Sequence, residues 1–81
     1  MNADEVRTRI ERALPGATVV VRSGDDVHFA ARVVAAQFEG LRTIARHQLV
    51  YRALGDAVGR EIHALSLETV TPGESARHAA G

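Results

Sequence analysis

The chain has 81 residues, 46% hydrophobic and 25% charged, with ten basic and ten acidic side chains that cancel and no cysteine. That length supports one small domain with a single core and leaves little room for a deep enclosed active site. The composition excludes a disulfide framework or a thiolate ligand supplied by the chain itself, and an aromatic content of 4% with zero net charge argues against base-stacking or strongly basic nucleic-acid binders.

Asn2 to Leu14 reads as a helix, with Asn2 as its cap, Glu5 completing a capping box, and Val6, Ile10 and Leu14 forming one apolar stripe that Pro15-Gly16 ends. Ala17 to Arg22 reads as a strand, β-branched over Thr18-Val19-Val20-Val21. The turn cluster Ser23-Gly24-Asp25-Asp26 leads to a second strand, His28 to Ala36, with Phe29, Ala31, Val33 and Ala35 on one face. Gln37 to Gly40 breaks that strand. A helix follows from about Leu41 to Leu54, with one stripe of Leu41, Ile44, Ala45 and Leu49 and another of His47, Val50, Tyr51 and Leu54, which predicts packing over a wide arc. A short helix is expected from Asp56 to about Arg60, then a third strand from Ile62 to Val70.

This order, α-β-β-α-α-β, predicts a two-layer α+β domain with a mixed three-stranded sheet: an antiparallel hairpin, and a third strand brought in by a helical crossover. The domain is expected over residues 1–72, with a flexible C-terminal tail at 73–81 in which Pro72 opens at most one turn. The start Met1-Asn2-Ala3-Asp4-Glu5 is polar and acidic, unlike a signal peptide. No apolar run approaches the roughly 18 residues of a membrane span. A cytoplasmic protein with no membrane role, monomeric or weakly homodimeric, is expected.

Motifs for catalysis are missing: there is no Ser-His-acid set, Walker loop, HExxH or dinucleotide fingerprint, so no enzyme is expected. Gly40-Leu41-Arg42-Thr43 lacks the second glycine of the Gly-x-x-Gly clamp by which KH domains admit an RNA backbone. His63, at the entrance to the last strand, reads either as a metal ligand or as a residue closing the helix-to-strand junction by hydrogen bonds. His28 reads as a solvated strand residue or an auxiliary ligand, and Asp25 and Asp26 as turn residues. His47 reads as a half-buried helix residue or part of a partner surface, and His78 as a tail residue without a role. Arg42 and Arg46, one turn apart, suit phosphate or a protein partner.

Five segments in order resemble the BolA family: His28-Phe29, Phe38-Glu39-Gly40, Arg46-His47-Gln48-Leu49-Val50-Tyr51, Ile62-His63-Ala64-Leu65-Ser66-Leu67 and Thr69-Val70-Thr71-Pro72. The short Gly24-to-Phe29 loop is most similar to short-loop bacterial members. The resemblance implies a class II KH-like fold and a partner, a monothiol glutaredoxin of the CGFS type. It implies a [2Fe-2S] cluster shared with the glutaredoxin cysteine and glutathione, none being held by the chain alone, with His63 as cluster ligand. Members often supply a second ligand, Cys or His, from the loop before the second strand. That position falls here at about Asp25, with His28 nearby, so both are candidates for the second contact. Arg42, Arg46 and His47 would shape the docking surface. The implied role is iron–sulfur cluster trafficking and assembly or iron regulation. The alternative is a nucleic-acid-binding, stress-response transcriptional regulator that uses the KH-like fold on DNA.

Overall fold

Helix α1 spans Ala3–Ala13, strand β1 Thr18–Arg22, strand β2 His28–Val34, helix α2 Thr43–Leu54, strand β3 Ala64–Val70 and helix α3 Pro72–Ala80, with 3-10 turns at Ala36–Phe38 and Gly55–Ala57. The computed structural model describes residues 1–80, with side chains through Arg77.

Asn2 caps α1. Its side-chain oxygen accepts from the Glu5 N–H at 2.9 Å, and the Glu5 carboxylate accepts from the Asn2 N–H at 3.3 Å. This reciprocal pair satisfies two N–H groups that have no partner within the helix. Val6, Ile10 and Leu14 are all buried. After Leu14 the chain reverses through Gly16, whose φ of +84° suits a residue without a Cβ.

The sheet order is β1-β2-β3. Strand β1 lies antiparallel to β2, from Thr18 opposite Val34 to Arg22 opposite Ala30. Strand β3 lies parallel to β2, from His28 beside Ala64 to Val34 beside Val70. A parallel neighbour requires a crossover, and α2 supplies it. Phe29, Ala31 and Val33 alternate onto the inner face, where they meet Val6 and Ile10 of α1 and Val50 and Leu54 of α2. Phe38, fully buried, closes the core from the 3-10 turn after β2. The opposite face carries neither α1 nor α2, and His28, Ala30, Ser66 and Glu68 are exposed there. The α+β class and the mixed three-stranded sheet are those the sequence predicts.

Several local expectations are corrected. The wide apolar arc of α2 does not form. Val50 and Leu54 are buried, but Ile44 is 73% and Tyr51 41% exposed. Helix α2 turns one side to the core it shares with α1 and the sheet, and Ile44 and Tyr51 stand on the other. Strand β2 stops at Val34. The Ala35 N–H makes a last bond to the Val70 carbonyl at 3.0 Å, and the backbone then tightens into the turn that carries Phe38. The helix expected over Asp56 to Arg60 is only the Gly55–Ala57 turn, flanked by positive-φ glycines at 55 and 59. Ile62 precedes β3, buried in a lone bridge to Val58.

Beyond Thr71, where a tail at 73–81 is expected after a single turn, helix α3 continues to Ala80. Its start is a second capping box. The Thr71 hydroxyl accepts from the Glu74 N–H at 3.1 Å, and the Glu74 carboxylate accepts from the Thr71 N–H at 2.8 Å. Pro72 follows the capping residue, where a missing N–H removes no helical bond. Gly81 and the side chain of His78 lie outside the described residues.

Candidate functional site

Three of the residues singled out from the sequence, Asp25, His28 and His63, come together at one end of the sheet. The turn between β1 and β2 is held by two polar side chains. Ser23 donates its hydroxyl to the His28 carbonyl at 2.7 Å and accepts from the Asp26 N–H at 2.9 Å. This holds Asp26 at a φ of 60°, a left-handed conformation that aspartate tolerates better than most residues.

One oxygen of Asp25 accepts from the N–H groups of Val27 and His28, at 3.0 and 2.9 Å. The other lies 2.7 Å from Nδ1 of the His28 ring. The N–H of His28, then that of Val27, then the imidazole hold the Asp25 carboxyl well below the usual carboxylate range. An ionised carboxylate only accepts hydrogen bonds, so Nδ1 of His28 carries the proton, and in the neutral ring the lone pair lies on Nε2. The His28 side chain is 64% exposed. It borders a shallow depression on the helix-free face, lined by Arg22, Ala30, Ala64 and Ser66.

His63 sits immediately before β3 and is exposed. Its backbone N–H donates to the Val27 carbonyl at 2.7 Å, and the Ala64 N–H reaches the same oxygen at 3.3 Å. Backbone bonds therefore close the helix-to-strand junction, and the imidazole is not required for it. Since His28 registers with Ala64, the first residue of β3, His63 lies one position before the residue beside His28. Among the described residues, no group of three or more His, Cys, Asp or Glu side chains is arranged to hold a metal ion.

The second predicted group behaves differently. Arg42 is exposed at the N-terminal cap of α2, and His47 is half-buried on that helix. Arg46 is turned inward, with only 13% of its side chain exposed. It donates to the carbonyls of Leu41 and Thr69 at 2.8 and 3.1 Å, and to both oxygens of Glu74 at 2.6 and 3.3 Å. Its guanidinium also lies 5.8 Å from the Phe38 ring centroid, a cation–π distance. Arg46 is thus an internal clamp that ties α2, the end of β3 and α3 together. Arg46, then the Thr71 N–H, hold the Glu74 carboxyl at about 2. Arg46 contacts Thr69, near the last residue of β3, whereas His63 precedes the first. At about 3.3 Å per residue, the two groups are separated by nearly the length of the strand.

Sequence reasoning missed Ser23 and Glu74. The Thr71-Pro72-Gly73-Glu74 pattern is itself a capping-box signal and would have revealed α3. Nothing in the spacing marked Ser23 as the anchor of the turn.

A family model described as BolA-like protein matches residues 9–74, from within α1 to the Glu74 cap. BolA-like protein 1 of Homo sapiens is 35% identical over 78 residues, covering 85% of this chain and 57% of that protein. The DNA-binding transcriptional regulator BolA of Vibrio cholerae is 44% identical over 54 residues, 67% of this chain and 51% of that protein. The chain thus spans little more than half the length of these curated relatives. A solved structure of a bolA protein homologue from Coxiella burnetii aligns with a TM-score of 0.82 at 42% identity, covering 95% of this chain and 99% of that one. With the hairpin, parallel third strand and exposed strand-entry histidine in place, these similarities establish that the chain belongs to the BolA family.

Proposed function

We propose that this chain is an accessory protein that pairs with a CGFS monothiol glutaredoxin around a shared [2Fe-2S] cluster, in cluster trafficking and assembly or iron regulation, with His63 as its ligand. The observation that carries the reading is the exposed His63, fixed at the sheet end through its backbone N–H, so that its ring is not what closes the strand junction. The donor set fits a shared cluster. The chain has no thiol, and its described side chains form no metal-holding group of their own. A cluster met here must therefore bring its thiolates from a partner, with glutathione as a second source. Imidazole in place of thiolate raises the potential of such a cluster, and a borderline nitrogen ligand suits exchange better than a full thiolate set. The cluster is cargo for this chain, and the chain's task is to hold His63 in position. Anaerobic mixing with a CGFS glutaredoxin, iron, sulfide and glutathione tests the pairing. Co-elution with a visible circular dichroism spectrum distinct from that of the glutaredoxin alone is expected. Separate elution with an unchanged spectrum overturns the reading.

A second reading is a DNA-binding regulator, favoured by the name of the Vibrio cholerae relative and by exposed Arg42 and Arg52 on α2. Its test is fluorescence anisotropy with duplexes of several sequences over rising salt. Binding that discriminates sequence at about 0.15 M salt supports it, and uniform binding erased by salt counts as phosphate contact alone.

A further inference from the structure

Strand β1 is one of the two edges of the sheet. Alternate residues of an edge strand direct their N–H and C=O groups away from their single neighbour. Among the described residues, no backbone group outside the β1–β2 ladder bonds to Thr18–Arg22. Sheet edges are ordinarily blunted by charge, proline or a bulge. Thr18 to Val21 carries none of these. Four β-branched residues follow one another in unbroken register with β2, and Val20 is 49% exposed. We propose that two copies of this chain associate through this edge, β1 antiparallel to the partner's β1 about a two-fold axis at Val20, giving one six-stranded sheet.

Three observations select a second copy as the occupant. The first is the pattern along the strand. Antiparallel pairing centred on Val20 sets Val20 against the partner's Val20, Val19 against the partner's Val21, and Thr18 against the partner's Arg22. No pair holds two charges, and the inner three are all β-branched, a favourable cross-strand combination. Parallel pairing would set Arg22 beside the partner's Arg22, an unfavourable like-charge contact.

Second, the other edge is closed to the same pairing. The Val70 carbonyl accepts from Ala35 on the β2 side, so the neighbouring Thr69 carbonyl points outward, where Arg46 already occupies it at 3.1 Å. Strand β1 of one copy therefore does not continue onto β3 of the next, and a two-fold pairing closes with two copies.

Third, α1 packs over β1, and its outer flank is complementary to itself in charge. Arg9 donates to the Leu54 carbonyl at 3.4 Å and so marks the flank that faces the end of α2. At about 100° per residue, Asp4, Arg7 and Glu11 lie on the opposite flank, where Arg7 bridges Asp4 at 3.4 Å and Glu11 at 2.9 Å. The two-fold sets this acid–base–acid row against its own reverse, and an offset of one turn brings Arg7 to the partner's Glu11. Pairing at β1 leaves His63, at the start of the opposite edge strand, exposed in both copies.

Sedimentation velocity over rising concentration is the first test. Two five-residue strands make a small interface, so half-association is expected between about 10 µM and 1 mM. Val20→Lys places like charges on the axis and is expected to raise that concentration by about tenfold or more. Its far-ultraviolet circular dichroism should be unchanged, because Val20 is half exposed. An equimolar mixture of Val20→Lys and Val20→Glu is expected to associate again. The absence of cysteine allows a second test. Directly opposed residues of an antiparallel pair stand about 4.5–5.5 Å apart at Cα, within disulfide reach. Under a mild thiol oxidant, Val20→Cys is expected to form a linked dimer faster than Ile44→Cys, although Ile44 is 73% exposed. The inference is overturned if wild type stays monomeric to about 1 mM, which would leave the edge to an extended segment of another protein. It is equally overturned if Val20→Lys associates as wild type does, if the charge-paired mixture does not associate, or if Val20→Cys links no faster than Ile44→Cys.

Discussion

Replacing Leu54 by alanine and, separately, Ile44 by alanine sets two truncations on α2 against each other. Both residues are large and aliphatic, and both fit an apolar stripe in the sequence. In the structure Leu54 is 1% exposed and Ile44 73%. Leu54 packs into the single core beneath β2 and beside α1. Removing three carbons there forfeits transfer energy and leaves a cavity, costing about 2–5 kcal/mol. The total stability of a domain of 81 residues is on the order of 4–12 kcal/mol, so the variant loses a large share of it. Ile44→Ala removes atoms already in water and introduces a better helix former, so its effect stays within about 0.5 kcal/mol. Urea unfolding followed by far-ultraviolet circular dichroism separates the two. With a slope near 1 kcal/mol per molar, the Leu54→Ala midpoint falls by roughly 2 M or more, and the Ile44→Ala midpoint moves by less than about 0.5 M, at unchanged slope. Equal losses in the two variants would refute the orientation assigned to α2.

Other expectations concern the Arg46 clamp. The folded-state pKa of Glu74, about 2, lies below its ordinary value of 4.5, so its contribution is complete above the ordinary value and is lost as pH falls toward 2. Urea midpoints should therefore drop on acidification more steeply in wild type than in Glu74→Gln; parallel curves would contradict the pairing. Asp25, also depressed, acts in the same direction in both proteins and cancels in the comparison. Arg46→Ala should speed amide hydrogen exchange in α3, because the guanidinium joins Glu74 to the carbonyls of Leu41 and Thr69, whereas Arg42→Ala, at an exposed cap without a side-chain bond, should leave α3 exchange unchanged. Equal exchange in the two variants would show that Arg46 does not hold the helix.

The elements that could be read from sequence were those in which local chemistry and burial agree. Asn2 with Glu5, the spacing of Val6, Ile10 and Leu14, and the alternation of Phe29, Ala31 and Val33 each state their own geometry. The misreadings occurred where a distant element decides. The apolar content of α2 does not say which of its sides faces the core, and Ile44 stands on the side left in water. Arg46 looks like a surface residue until Glu74, 28 positions later, is seen to reach it. At the candidate site, the placement of His63 at a strand entrance was legible. The bond between Asp25 and the His28 ring was not, because turn chemistry alone accounts for an aspartate at that position.

The most direct test of the central claim is visible absorption and circular dichroism of the complex reconstituted anaerobically with a CGFS glutaredoxin, using wild type and His63→Ala side by side. His63 is exposed and its ring makes none of the bonds that close the strand junction, so the variant should retain the fold, seen as an unchanged far-ultraviolet spectrum. The account predicts that its complex loses or alters the visible signature of wild type. A folded His63→Ala protein whose complex has the wild-type visible spectrum would contradict it.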